Sequence, residues 1–91
     1  MTNEKTLKKP KQKEFESTAK NKFVFQTVPN SKYLEIMDDS VKADGNPAIS
    51  KLYPAMLEHI VVQPNGLTVD DFDDFSELRE VCEAALSFQQ E

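Results

Sequence analysis

His59, Cys82 and the run Asp70, Asp71, Asp73, Asp74 are the residues of this chain whose types and spacing could support chemistry. A single imidazole without a nearby cysteine or second histidine does not make a zinc site. His59, between Glu58 and Ile60, reads as a surface or boundary histidine. Cys82 falls on an apolar helical stripe with Val81 and Ala85, and Arg79 is the sole base one turn away. It reads as a small buried hydrophobe rather than a reactive thiol. The four aspartates are dense enough to suggest calcium, yet Phe72 takes the third loop position and no glycine supplies the turn at the sixth. Carboxylates in the first turn of a helix interact favourably with its dipole and free amides, and two successive helix starts account for all four. Paired carboxylates doing acid–base work need a cleft and a raised pKa, and the sequence supplies neither. Gly45 and Gly66 are the only glycines, so there is no glycine-rich phosphate loop. No catalytic, metal or cofactor residue is assigned, and the chain is expected not to be an enzyme.

Size points the same way. The 91 residues carry 11 basic and 16 acidic side chains, one cysteine and no tryptophan, for a net charge of -5. A single domain of this length buries only about 60 to 65% of its unfolded surface, which leaves little material for both a core and a deep catalytic cavity. One cysteine permits no internal disulfide, so a small secreted scaffold is not expected. No run approaches the roughly 18 to 20 apolar residues of a membrane span, and the basic N-terminus lacks the apolar stretch of a signal peptide. The expected location is the cytoplasm.

The charge is divided unevenly. Residues 1–22 hold seven lysines against three glutamates, a balance of +4, whereas residues 23–91 hold four bases against 13 acids, a balance of -9. Met1, Leu7, Phe15 and Ala19 are the only apolar residues of the first segment, too few to offset the entropy of ordering it by burial. Residues 1–13 are therefore expected to form a disordered lysine-rich arm, and 14–91 one small domain.

Within that domain, the segment from Lys13 to Ser17 and the segment Phe23 to Val28 alternate with β-favouring residues around a loop at Ala19-Lys20-Asn21, which predicts a hairpin ending at Pro29. Asn30 or Ser31 is a good N-cap for a helix running to Val41, with Tyr33, Leu34, Met37 and Val41 on one face. Asp44-Gly45-Asn46-Pro47 ends it. Ile49, Leu52, Tyr53, Met56, Leu57, Ile60 and Val61 then recur at helical steps. Pro54 interrupts them, so either the helix kinks there or a shorter helix begins with Pro54 at its first position. Gln63-Pro64-Asn65-Gly66 is a second turn, and Thr68-Val-Asp-Asp71 resembles a capping box with Asp in place of Glu. Asp74-Phe-Ser-Glu77 repeats that signal before a last helix from about Phe75 to Phe88, with Phe75, Leu78, Cys82, Ala85 and Leu86 on one stripe and Val81 and Phe88 at its edges. The fold expected is α+β, mainly α: an N-terminal β-hairpin packed on three short helices.

Three helices and a hairpin cannot fully enclose Phe72, Phe75, Leu86 and Phe88 along with the central stripe, so some apolar surface is expected to stay open for another chain. The succession Phe23-Val-Phe25, Tyr33-Leu-Glu-Ile-Met37, Leu57-Glu-His-Ile-Val-Val62 and Leu67-Thr-Val-Asp-Asp-Phe72, closing on Phe88, resembles the tail assembly chaperones of long-tailed bacteriophages and prophages. The most telling stretch is IVVQPNGLTVDDFDDFSELREV, residues 60–81, where a helix ending in valines meets a proline turn and an acidic, phenylalanine-containing helix start. The resemblance covers about residues 14–88 and rests on hydrophobic spacing and acidic caps.

That resemblance implies a non-enzymatic protein that binds the tape measure protein, keeps it soluble, helps recruit major tail protein, and is absent from the finished virion. A helix-in-groove contact needs apolar anchors with an acidic rim. It is placed on Phe72, Phe75, Leu78, Val81 and Phe88, with Asp70, Asp71, Asp73 and Asp74 steering basic segments. Self-association through the same strip is a further expectation. The alternative is a small nucleic-acid-associated protein using the lysine arm, which could neutralise phosphates but has no arginine and little aromatic interleaving for base stacking.

Overall fold

A computed structural model describes residues 10–91 of the chain, so Lys5, Lys8 and Lys9 of the basic arm lie outside the described residues. The fold is α+β. A three-stranded antiparallel sheet is built from β1 (Gln12–Glu16), β2 (Lys22–Gln26) and β3 (Val61–Gln63), in the order β1-β2-β3. Between β2 and β3 the chain forms α1 (Asn30–Asp39) and α2 (Ile49–His59). After β3 come a one-turn 3-10 helix (Val69–Asp71) and the long α3 (Phe75–Gln90).

The hairpin expected from the alternation is present, with Phe15 opposite Phe23 and Lys13 opposite Phe25. Opposed residues in an antiparallel pair share a face, so Phe15, Phe23 and Phe25 point together towards the core. Phe15 stacks on Phe25 at 5.3 Å between ring centroids. The opposite face is mostly polar, with Gln12 hydrogen-bonded to Gln26 at 2.7 Å and Glu16 paired with Lys22. Gln12 and Lys13, assigned to the arm by composition, belong to β1, and Lys11 N–H donates to Thr27 Oγ1 at 2.9 Å. Composition understates this segment because only one face of an edge strand needs apolar residues.

Two other expectations are corrected. Val61 is the first residue of a third strand rather than the last of the helical stripe, as α2 ends at His59 and the Gln26 N–H donates to the Ile60 carbonyl at 2.8 Å. The Val-Val pair suits either period, and pairing with β2 decides for the strand. On α1 the predicted face is rotated: Ile36 is buried, Met37 packs against the core, and Leu34 is 62% exposed. Val41 lies beyond the helix end, where it bridges to Pro47. A ten-residue helix leaves Ile36 and Leu34 as equal claimants on sequence, and the contact with α2 selects between them.

Pro54 stands as the sixth, exposed residue of a single helix, so the shorter helix beginning at Pro54 is not formed. The turn Asp44–Pro47 forms as expected, with Gly45 at φ 88° and Asn46 N–H donating to Asp44 Oδ1 at 3.0 Å. A positive φ costs a side-chain-bearing residue energy that glycine avoids.

The core joins β2, α2 and α3. Phe25, Met56, Leu57, Ile60, Val81 and Cys82 are its most deeply buried side chains, and Phe25 also meets Phe88 at 6.1 Å. Phe25→Ala should lose about 3–5 kcal/mol of unfolding free energy in urea titrations, since the ring sits between Phe15 and Phe88 and the void cannot collapse. Leu34→Ala, at an exposed position, should change it by no more than about 0.5 kcal/mol.

Candidate functional site

The expected partner-binding residues do not form one surface. Leu78, Val81 and Phe88 face inward on α3 and are 9%, 0% and 4% exposed, so they are core residues and cannot anchor a partner in the folded chain. Their steps of three and seven residues along α3 are the spacing of a single face, and the sheet and α2 claim that face. Phe72 is half-buried, its ring stacked on Phe23 at 6.1 Å between centroids. Phe75 alone among the five is open, at 56% exposed, with the Arg79 guanidinium 5.8 Å from its ring centroid.

The aspartates serve local structure in part. Asp71 Oδ2 accepts the Thr68 N–H at 2.8 Å and the Thr68 hydroxyl at 3.2 Å, which is the expected capping-box contact with Asp in place of Glu. It caps a single 3-10 turn rather than an α-helix. Asp74 is the N-cap residue of α3 but makes no side-chain cap hydrogen bond, and Asp70, Asp73 and Asp74 are all exposed. Phe72 and Asp71 line a recess of about 290 Å³ together with Phe23, Pro64, Leu67 and Glu77. Phe75 and the exposed aspartates stand on the same short stretch of chain. Asn21 and Lys22 complete the lining of the recess, so its rim carries a base as well as Asp71 and Glu77, and Phe75 lies outside it.

Glu77, read from sequence as a second capping acid, has a different role. Its Oε2 accepts hydrogen bonds from Ser17 Oγ and from Asn21 Nδ2, both at 2.7 Å. One turn on, Glu80 accepts from the Thr18 backbone N–H at 3.1 Å and from Thr18 Oγ1 at 3.0 Å. These two carboxylates hold the hairpin loop, where Lys20 adopts φ 74°. At the far end of α3, Gln89 Oε1 accepts the Val28 N–H at 2.8 Å while its Nε2 donates to the Val28 carbonyl at 2.9 Å. Neither contact has a signal in the sequence, because each pairs residues about 60 positions apart.

A second open surface lies between α2 and the C-terminal half of α3. Pro47, Ile49, Leu52, Tyr53, Glu83 and Leu86 line a groove of about 380 Å³, together with Ser87 and Gln90. Ile49 is 49% exposed there, although the sequence places it on the buried stripe. As the first residue of α2, it stands beyond the reach of the core that covers Leu52 and Tyr53.

The titratable groups are arranged for structure. Cys82 is buried, its Sγ 3.7 Å from the Tyr53 carbonyl oxygen. Burial, with the negative charge of Glu83 beside it, pushes its thiol up to about 12. A thiol held neutral is a poor nucleophile. Tyr53 is also raised, first by burial and then by donating its hydroxyl to Glu83 Oε2 at 3.1 Å. His59 Nε2 is 3.8 Å from Glu58 Oε1 in the last turn of α2. Among the described residues no three His, Cys, Asp or Glu side chains converge as a metal-ligand set, and no helix is long and apolar enough to cross a membrane. Lys11 and Lys13, the described end of the basic segment, are both directed at Glu91, through its carbonyl at 3.1 Å and its carboxylate at 3.8 Å.

The raised thiol fixes a pH dependence. The unfolded chain releases the Cys82 proton near the ordinary value of 9.0 and the folded chain only near 12, so above the former the unfolded state binds fewer protons and stability falls. Cys82 and Tyr53 therefore add no slope below pH 8, and a decline should begin above about pH 9 in denaturant titrations, reduced in Cys82→Ala when each curve is referred to its own neutral value. Native Cys82 should also resist a thiol-alkylating reagent at pH 8 and react fully once the chain is unfolded.

Comparison of this chain with protein-family models, with curated proteins and with solved structures finds no match.

Proposed function

We propose that the chain is a non-enzymatic tail assembly chaperone of a long-tailed bacteriophage or prophage. It binds the tape measure protein, keeps it soluble and helps recruit major tail protein during assembly of the tail tube, in the host cytoplasm and without entering the virion. The family part of this reading rests on the resemblance of residues 14–88. Within the stretch 60–81 one term of the resemblance changes, since the valines at 61 and 62 belong to β3 rather than to a helix end.

The observation that carries the binding role is Phe75. Phe75 is 56% exposed, the one aromatic among the four large apolar side chains left open in the described residues, and such an area is costly to leave in water. It stands among Asp70, Asp71, Asp73 and Asp74, whose charge attracts a basic chain and repels another acidic domain. Phe72, three residues earlier, lines the recess with Phe23 and Leu67. Leu78, Val81 and Phe88, buried in the core, are not part of this surface.

Phe75→Asp tests the proposal without endangering the fold, because the site is exposed. Co-expressed with the tape measure protein, the variant should lose partner solubility, as removing a central anchor weakens binding by roughly tenfold or more. Leu34→Ala serves as a matched control for an exposed apolar side chain elsewhere. Unchanged solubility of the tape measure protein beside a folded Phe75→Asp chain would refute the assignment.

A further inference from the structure

α1 is the least secured helix of the domain. Ile36 is its one buried residue, against four on α2 and six on α3. No side chain caps its N-terminus, no acid stands in its first turn and no base in its last. Asp38 and Asp39 instead place two carboxylates at the negative end of the helix dipole, where they weaken the helix. A helix of ten residues does not persist alone in water. α1 therefore depends on what holds it to the rest of the chain.

Those holds are few. α1 packs on α2, with Ile36 in the core and Met37 against it. The elbow that follows closes mainly on itself: Lys42 N–H donates to the Asn46 carbonyl at 2.8 Å, Gly45 N–H to the Lys42 carbonyl at 2.9 Å and Ala48 N–H to the Ser40 carbonyl at 2.7 Å. Residues 41–47 are all exposed, so burial does not fix the elbow to the core. Among the described residues a single hydrogen bond joins α1 to α3, from Gln90 Nε2 to the Tyr33 hydroxyl at 2.7 Å. At the entrance of α1, just before Pro29, Gln89 binds both backbone groups of Val28. Both glutamines stand in the last turn of α3.

We infer that α1 is a flap that opens as a unit on the hinges at Pro29 and the elbow, and that the last turn of α3 is the latch that holds it shut. Opening breaks the contacts of Gln89 with Val28 and of Gln90 with Tyr33. It uncovers Ile36, Met37 and the part of α2 beneath them, while β2, α2 and α3 stay packed through Phe25, Leu57, Val81 and Phe88. The domain thereby holds an apolar strip whose exposure is set by the latch, at a smaller cost than global unfolding. This rests on the fold alone and not on the identity of any partner.

Native-state amide exchange of the full chain in increasing urea, below its unfolding transition, tests the flap. The interior amides of α1 should share one protection factor, roughly tenfold or more below those of α2 and α3, with little dependence on urea because a local opening exposes little surface. Gln89→Ala removes both bonds to Val28 and should lower α1 protection roughly tenfold, and Gln90→Ala, at an exposed position that does not threaten the fold, about threefold. The weak urea dependence of α1 should persist in each. Protection of α1 equal to that of α2 and α3 with the same steep urea dependence, or graded along α1 from one end, would overturn the flap. Unchanged α1 protection in the latch variants, or a loss confined to α2 and α3, would overturn the latch, since the glutamine contacts would then survive opening.

Discussion

The structure depends on how α3 is fixed to the hairpin. Its apolar stripe of Leu78, Val81, Cys82, Ala85 and Phe88 meets β2 and α2, and polar contacts at both ends set its position. Glu77 and Glu80 bind the loop between β1 and β2, and Gln89 satisfies both backbone groups of Val28, where Pro29 stops the strand from pairing further. From Glu77 to Gln89 the helix rises about 18 Å, commensurate with the roughly 23 Å of extended chain from Asn21 to Val28. A two-stranded hairpin is marginal alone. Held at both ends against a buried face, it becomes one wall of the core, and β3 can add to it.

This arrangement divides the apolar residues into two populations. Those on the inward faces of β2, α2 and α3 are committed to the core, and substituting them acts on stability. Phe75, Leu34, Val41 and Ile49 lie outside it. The buried thiol and the tyrosine–glutamate contact belong to the first population: they sit where α2 meets α3, and their neutral forms are the ones the interior favours. The open surfaces are what remains for a partner, and they lie at element starts and ends, where a small core has no further layer to cover them.

Much of this was legible in the sequence because the signals were local. Alternation at Phe23 and Phe25, the Asp44–Pro47 turn and the Thr68–Asp71 cap each lie within a few residues and follow from period or turn chemistry, whereas the stripe of α3 is turned from the one expected, with Val81 and Phe88 at its buried centre, Leu86 half-buried and Phe75 open. The parts that were not legible depend on contacts distant in the chain. Val61 became strand because β2 had a free edge, and Ile36 was chosen over Leu34 because α2 lies on its side. Glu77 looked like a cap because its spacing from Asp74 is right for one, yet Ser17 and Asn21 captured its carboxylate. The partner surface was misplaced for the same reason: periodicity finds the apolar face of a helix but not whether the rest of the molecule already covers it.

Under the proposed function, a partner meets this domain on its open apolar surface while the core stays closed. Hydrogen–deuterium exchange of the full chain, alone and with the tape measure protein, tests it directly, since protection reports local opening segment by segment. Added protection is expected over residues 70–75, with α3 from Leu78 to Phe88 exchanging as slowly as before. Faster exchange of that helix on binding would mean that the chain opens to lend Leu78, Val81 and Phe88 to its partner, and would contradict the account.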